Sequence, residues 1–275
     1  MKNDRVLKSN LHTHTAYCDG KHAPREVVLA AMEAGMETLG FSEHAYVEFD
    51  PIWSMSPDAT VKYRAEILRL QREYADRIHI LLGTEADYYS SFERTDYEYV
   101  IGSVHYLLVN REVCIVDADR QRLLSDIDRY YGGDVYRFVA QYYETLADVK
   151  IKTGCSVVGH FDLLTKQNQK GDLINESDLR YLTPAFDAMD ALIKQDAIFE
   201  INTGAISRGY RTTPYPSPAL LRRMFERGAK ITISSDAHDK AHLLYAFSDA
   251  VELARGAGYS SVLVMTREGW REAPI

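Results

Sequence analysis

Residues 198–238 read "IFEINTGAISRGYRTTPYPSPALLRRMFERGAKITISSDAH" and contain one complete strand–helix–strand unit. Ile198–Asn202 is a short apolar run, 217–228 has a helical pattern, and Lys230–Ser234 is a second apolar run. Neighbouring strands joined through a helix run parallel, because the crossover carries the chain back to the starting edge. Immediately past the second strand stand Asp236 and His238, two residues of metal-binding type.

The same alternation extends in both directions. Strands are predicted at Leu7–Leu11, Thr38–Phe41, Ile78–Leu82, Tyr99–Val104 and Ser156–Val158, besides the two above. Between them lie helices: Pro24 opens "REVVLAAMEAG", and a second runs from "SMSPDAT" through Ile67, Leu70 and Tyr74. "DVYRFVAQYYETLADVKIKTG" (134–154) reads as one helix, since Val135, Phe138, Val139, Tyr142, Tyr143, Leu146 and Val149 recur at i, i+3, i+4, i+7. Further helices are predicted at 177–195 and 240–257. Seven β–α alternations in 275 residues predict an α/β fold closed into a barrel, with 1–275 as one domain. Residues 110–133 read as irregular, a lid or specificity loop.

Composition narrows the function. The chain is 46% hydrophobic and 26% charged, an ordinary globular balance. No apolar run approaches a membrane span, and "MKNDRVLKSN" lacks the apolar core of a secretory signal. Cys18, Cys114 and Cys155 are odd in number and far apart, which predicts free thiols and a cytoplasmic location. The net charge of −8 argues against nucleic acid as a partner.

An isolated His-x-His, such as His12 and His14 in "NLHTHTAYCDG", is more often a loop feature than a metal site. The other strand ends decide the matter. They carry His44 in "SEH", Glu85 in "GTE", His105 in "SVH", His160 in "GHFD", and Asp236 with His238. Six of nine histidines thus fall on the rim where barrel enzymes do their chemistry. His79 precedes its strand, His242 lies in a predicted helix, and His22 is a weaker candidate beside Asp19. Six imidazoles with Asp19, Glu85 and Asp236 exceed the needs of one tetrahedral ion, and suit two or three divalent ions. Mixed nitrogen and oxygen donors fit zinc, manganese or iron.

Through "NLHTHT", "GFSEH", "LLGTEADY", "IGSVHYL", "VVGHFDLLTK", "EINTGA" and "SSDAH", nearly the whole chain resembles the PHP (polymerase and histidinol phosphatase) superfamily. More narrowly, it resembles the monofunctional histidinol-phosphate phosphatases. That resemblance implies a distorted (β/α)7 TIM-like barrel with three divalent ions (Zn2+, Mn2+ or Fe2+). It would place the first ion on His12, His14, Glu85 and Asp236. Glu85 would bridge to a second ion on His105 and His160, and Asp19, His44 and His238 would take the third. Phosphate would meet basic residues after the fifth and sixth strands, here Lys166 and Arg208, with Arg211 a poorer candidate. A lysine at the first place, where the family often has arginine, supplies charge without the bidentate fork.

The expected reaction is hydrolysis of a small phosphate monoester, L-histidinol phosphate, with Asp236 accepting the nucleophile's proton. Asp162, on the same face as His160, is expected to orient a ligand imidazole, with donation to the leaving group as its alternative. Cys18 is expected to be a packing residue. Tyr46, Tyr88, Tyr106 and the 110–133 loop are expected to wall the imidazole of the substrate. Three rival readings stay open: a PHP nuclease or other phosphoesterase, a non-catalytic PHP binding module, and a barrel amidohydrolase, which would want a strand-end lysine not found here.

Overall fold

The computed structural model describes residues 7–275; the "MKNDRVLKSN" stretch lies mostly outside them. In chain order the elements are β1 (Ser9–Asn10), α1 (Pro24–Glu33), β2 (Thr38–Phe41), α2 (Pro57–Glu73), β3 (His79–Asp87) and β4 (Tyr99–Ser103). There follow β5 (Tyr106–Val109), β6 (Glu112–Ile115), α3 (Arg120–Tyr131), α4 (Val135–Ala147), α5 (Val149–Thr153), β7 (Val157–Val158) and α6 (Leu179–Lys194). The chain closes with β8 (Ile198–Asn202), α7 (Gly204–Ser207), α8 (Pro218–Glu226), β9 (Lys230–Ser234), α9 (Phe247–Ala257), β10 (Ser261–Thr266) and β11 (Gly269–Pro274).

Seven strands pair in parallel in the order β1-β2-β3-β4-β7-β8-β9. The seam between β9 and β1 is closed only at its carboxyl end. There Thr13 bridges Ala237, the His14 amide donates to Ala237 O (2.9 Å), and the Ala237 amide donates to His12 O (3.1 Å). The result is the nearly closed α/β barrel that the alternation predicts. Among the described residues no helix is long and apolar enough to cross a membrane.

Inside the barrel, Leu11, Leu81, Tyr99, Ile101, Val157 and Ile198 form a cluster of their own. Gly40 and Gly83 make room for the Tyr99 ring, which a Cβ at either position would overlap. The Tyr99 hydroxyl lies 2.5 Å from Leu11 O and 2.9 Å from Phe41 O, fully buried. Tyr99→Phe leaves these buried carbonyls short of a partner, so it should cost about 1–3 kcal/mol in denaturant unfolding. A change within error would show that the hydroxyl does not tie the strands together.

The antiparallel β10–β11 hairpin, not anticipated from the sequence, packs Leu263, Met265 and Trp270 against that inner cluster. It plugs the barrel from the amino-terminal ends of the strands. Outside, helix faces such as Phe138, Val139, Tyr142, Tyr143 and Leu146 of α4 are buried in the larger core.

Three expectations need correction. Residues 110–133 are not an irregular loop. Asn110 (φ 53°) and Arg111 (φ 70°) make a two-residue turn between β5 and β6, and α3 follows, capped by Asp119 at Arg122 N. Both turn residues sit at positive φ, as the hairpin turn type requires, but an Asn-Arg pair lacks the glycine that would advertise it. Residues 134–154 form two helices broken at Asp148; their apolar positions stay in register across the break, so periodicity does not reveal it. The 240–257 helix begins only at Phe247, because Ala246 at φ 56° cannot continue a right-handed helix.

Candidate metal centre

The strand ends deliver the donors to one mouth. His12 and His14 follow β1, His44 follows β2, His105 follows β4, His160 follows β7, and Asp236 and His238 follow β9. Glu85 lies within β3 rather than beyond it, since β3 pairs with β4 as far as Asp87. Asp19 is turned back onto the rim by a loop whose Gly20 amide donates to Thr15 O; a Cβ at Gly20 would overlap the His14 backbone. Asp236 sits at φ 47°, and Gly204 leaves room for its carboxylate, which a Cβ there would approach to 2.8 Å.

Four atoms form a compact set. His12 Nε2 is 3.2 Å from Glu85 Oε2 and 3.7 Å from Asp236 Oδ1; His14 Nε2 is 3.5 and 3.4 Å from the same two oxygens. Donors about 2.1 Å from one tetrahedral ion stand roughly 3.4 Å apart, so these spacings are those of a coordination shell. Both Nε2 atoms are buried and have no hydrogen-bond partner among the described residues. The other oxygen of Glu85 faces elsewhere: Oε1 is 2.9 Å from His160 Nε2 and 3.4 Å from His105 Nε2. A third set gathers around Asp19 Oδ2, at 2.9 Å from His238 Nε2 and 3.7 Å from His44 Nε2. His44 spans two sets, since its Nδ1 is 3.0 Å from Glu85 Oε2. The donor set fits metal ions.

Behind the donors stand acids that sequence reading missed. Glu200 Oε1 is 2.7 Å from His12 Nδ1, while its Oε2 accepts the His160 amide (3.0 Å) and Asn202 Nδ2 (2.8 Å). Asp87 Oδ2 accepts the His105 backbone amide at 2.6 Å and lies 3.5 Å from the His105 ring Nδ1. Carboxylates in such places fix the orientation of ligand imidazoles. The available signal was an acid and an amide, Glu200 and Asn202, on one face of an otherwise apolar strand.

The field follows from this crowding. Burial disfavours charge on every group, yet the mutual attractions win for most. Against burial, His12 is raised by Glu200 and Asp236, His44 by Glu85 and Asp19, and His105 reaches about 10 through Glu85 and Asp87. Glu85 and Asp236 are held well below the carboxylate range despite burial, Glu85 by His12, His105 and His44, Asp236 by Arg208 and His12. Asp19 is likewise lowered by His44 and His238. His14 goes the other way, to about 3, through burial and the neighbouring His238 and His44. The mouth is an acid-rich pocket that favours bound cations over neutral occupants.

Of the two expected phosphate contacts, Arg208 reaches the cluster. It donates to Asp236 Oδ2 (2.9 Å) and Asp236 O (3.1 Å), and lies 2.7 Å from His238 Nδ1. Lys166 is tied to Asp117, at 2.7 Å from its carbonyl and 3.4 Å from its carboxylate, over the Tyr210 ring. Arg211 is buried against Thr165 and the Tyr215 ring. Asp162 does not meet a ligand imidazole: its Oδ2 accepts the Ser217 amide at 2.9 Å and its Oδ1 has no partner among the described residues. Glu200 and Asp87 fill that role instead.

His22 pairs with Asp239 (3.2 Å), His79 opens β3 at the opposite rim, and His242 packs on Tyr245. Tyr106 lies beside His105, its hydroxyl on Asp50 (2.9 Å). Tyr88 lines a separate groove of about 650 Å³ along α4, and Tyr46 a smaller one beside α2.

The fold and its donors together define a parallel barrel with a metal-binding mouth. The PHP domain model matches residues 10–204. The "Probable histidinol-phosphatase" of Deinococcus radiodurans is 32% identical over 94% of this chain and 96% of that protein. The histidinol-phosphatase of Bacillus subtilis is 24% identical, over 90% and 99%. The crystal structure of histidinol phosphate phosphatase from Lactococcus lactis, complexed with zinc, L-histidinol and phosphate, superposes with a TM-score of 0.71 at 21% identity, covering 96% of this chain and 99% of that one. The chain belongs to the PHP-domain family.

Proposed function

We propose that this chain is a metal-dependent phosphomonoesterase that hydrolyses L-histidinol phosphate to L-histidinol and phosphate, as a single barrel domain. The observation that carries this reading is Glu85, whose two oxygens face different imidazoles, Oε2 those of His12, His14 and His44 and Oε1 those of His105 and His160. His12 and His14, with Asp236, would hold a first ion with Oε2; His105 and His160 a second with Oε1; Asp19, His44 and His238 a third. Divalent ions held there supply Lewis-acid charge for phosphoryl oxygens and acidify water, and zinc, the metal of the Lactococcus complex, suits the donors.

The chain's own residues do the rest. Arg208 presents its guanidinium beside Asp236, where it can grip a phosphate oxygen with the geometry arginine favours. Asp236, whose Oδ1 faces His12 and His14 Nε2, would as an anionic ligand accept a proton from the attacking water. Lys166 joins the phosphate only by leaving Asp117. Tyr106 and Phe49, 5.1 Å apart, offer an aromatic wall near His105. Cys18, Cys114 and Cys155 are free thiols, in keeping with action in the cytoplasm.

The test is turnover by metal-loaded protein of L-histidinol phosphate, a generic phosphomonoester and an oligonucleotide. Histidinol phosphate should show the highest kcat/KM. Preference for the oligonucleotide would overturn the reading.

A further inference from the structure

Behind His14, on the side turned away from Glu85, lies a thiol backed by a buried acid. Cys18 Sγ is 3.5 Å from His14 Nδ1 and donates to Glu43 Oε2 at 2.6 Å. Glu43 is fully buried, and the same oxygen accepts the Thr15 amide at 3.1 Å. Its Oε1 has no hydrogen-bond partner among the described residues.

These groups are close enough to suggest a further cation site made of His14, Cys18 and Glu43. The distances decide against it. Sulfur at about 2.3 Å and oxygen at about 2.1 Å from one tetrahedral ion stand roughly 3.6 Å apart. The observed 2.6 Å is about an ångström less, too close for both atoms to ligate one ion. On the other side, His14 Nε2 faces Glu85 and Asp236. A ring that ligates through Nε2 carries its proton on Nδ1, which points at the sulfur.

We propose that Cys18 and Glu43 brace His14: Nδ1–H donates to Cys18 Sγ, and the Cys18 S–H donates to Glu43 Oε2. A buried carboxylate thereby orients a metal-ligand imidazole through a thiol. The inference rests on the metal-centre reading above. It is the task Glu200 performs directly for His12, lengthened by one sulfur. The brace also ties down the turn that carries Asp19, since the Thr15 amide donates to Glu43 and the Cys18 amide to Thr15 O. Both are positioning residues.

The test is cobalt(II) titration of metal-stripped full-length protein, read by visible and near-ultraviolet absorption, with circular dichroism as the check on folding. Wild type should bind cobalt without a sulfur-to-cobalt charge-transfer band. Cys18→Ala should bind at least about tenfold more weakly. Cys18→Ser, whose hydroxyl both accepts and donates, should keep most of the affinity. Glu43→Gln, which keeps shape and removes charge, should weaken binding independently, and decides the matter if Cys18→Ala does not fold. A charge-transfer band would make Cys18 a ligand and overturn the brace. So would wild-type affinity in folded Cys18→Ala or in Glu43→Gln. Folded wild type that binds no cobalt would instead remove the metal-centre reading, and the brace with it.

Discussion

Glu85→Gln should strip the mouth of at least two cations and lower kcat/KM by roughly 10³-fold or more, about 4 kcal/mol of transition-state stabilisation. The reasoning is geometric. Among the described residues no other side chain touches so many of the donors: Oε2 faces His12, His14 and His44, while Oε1 faces His105 and His160 and accepts from Ser103 Oγ at 2.6 Å. Glutamine preserves the volume and one acceptor oxygen, but it removes the charge and replaces the other oxygen with an amide donor. That amide would point at imidazole nitrogens needed for metal. Metal content by mass spectrometry and turnover should therefore fall together, with the circular dichroism of wild type retained. A folded Glu85→Gln protein with wild-type metal content would contradict the bridging role.

Arg208→Ala should lower kcat/KM by about 10²–10³-fold, the usual cost of losing one fixed donor aimed at developing oxygen charge. Arg208 is the cation that reaches the cluster directly, since Lys166 is engaged with Asp117 and Arg211 is buried against Thr165. Arg208→Lys should recover only part of the loss, because an ammonium restores charge without two parallel N–H bonds. Inhibition by inorganic phosphate gives a second measure: its Ki should rise in parallel with the loss in kcat/KM. Arg208→Ala within twofold of wild type on both measures would show that the guanidinium only supports Asp236.

Legibility in the sequence followed period and punctuation. Thr38–Phe41, Ile198–Asn202 and Lys230–Ser234 coincide with their predicted bounds, because each is a short apolar run with sharp polar or glycine edges. The ligand candidates were readable since barrel topology assigns every strand end to one rim, whatever the spacing in the chain. What stayed hidden depended on pairing across space. Glu200 and Glu43 matter through His12 and Cys18, and no local pattern announces those partners. The Asn110-Arg111 turn lacked its usual glycine. Lys166 looked available until folding placed Asp117 beside it.

The β10–β11 plug has a bearing on traffic. With Leu263, Met265 and Trp270 stoppering the barrel's far end, everything that enters the mouth leaves by the same door. A phosphate ion lingering on cations held there after its alcohol has departed would bar the next visitor, so accumulated end product should slow the cycle.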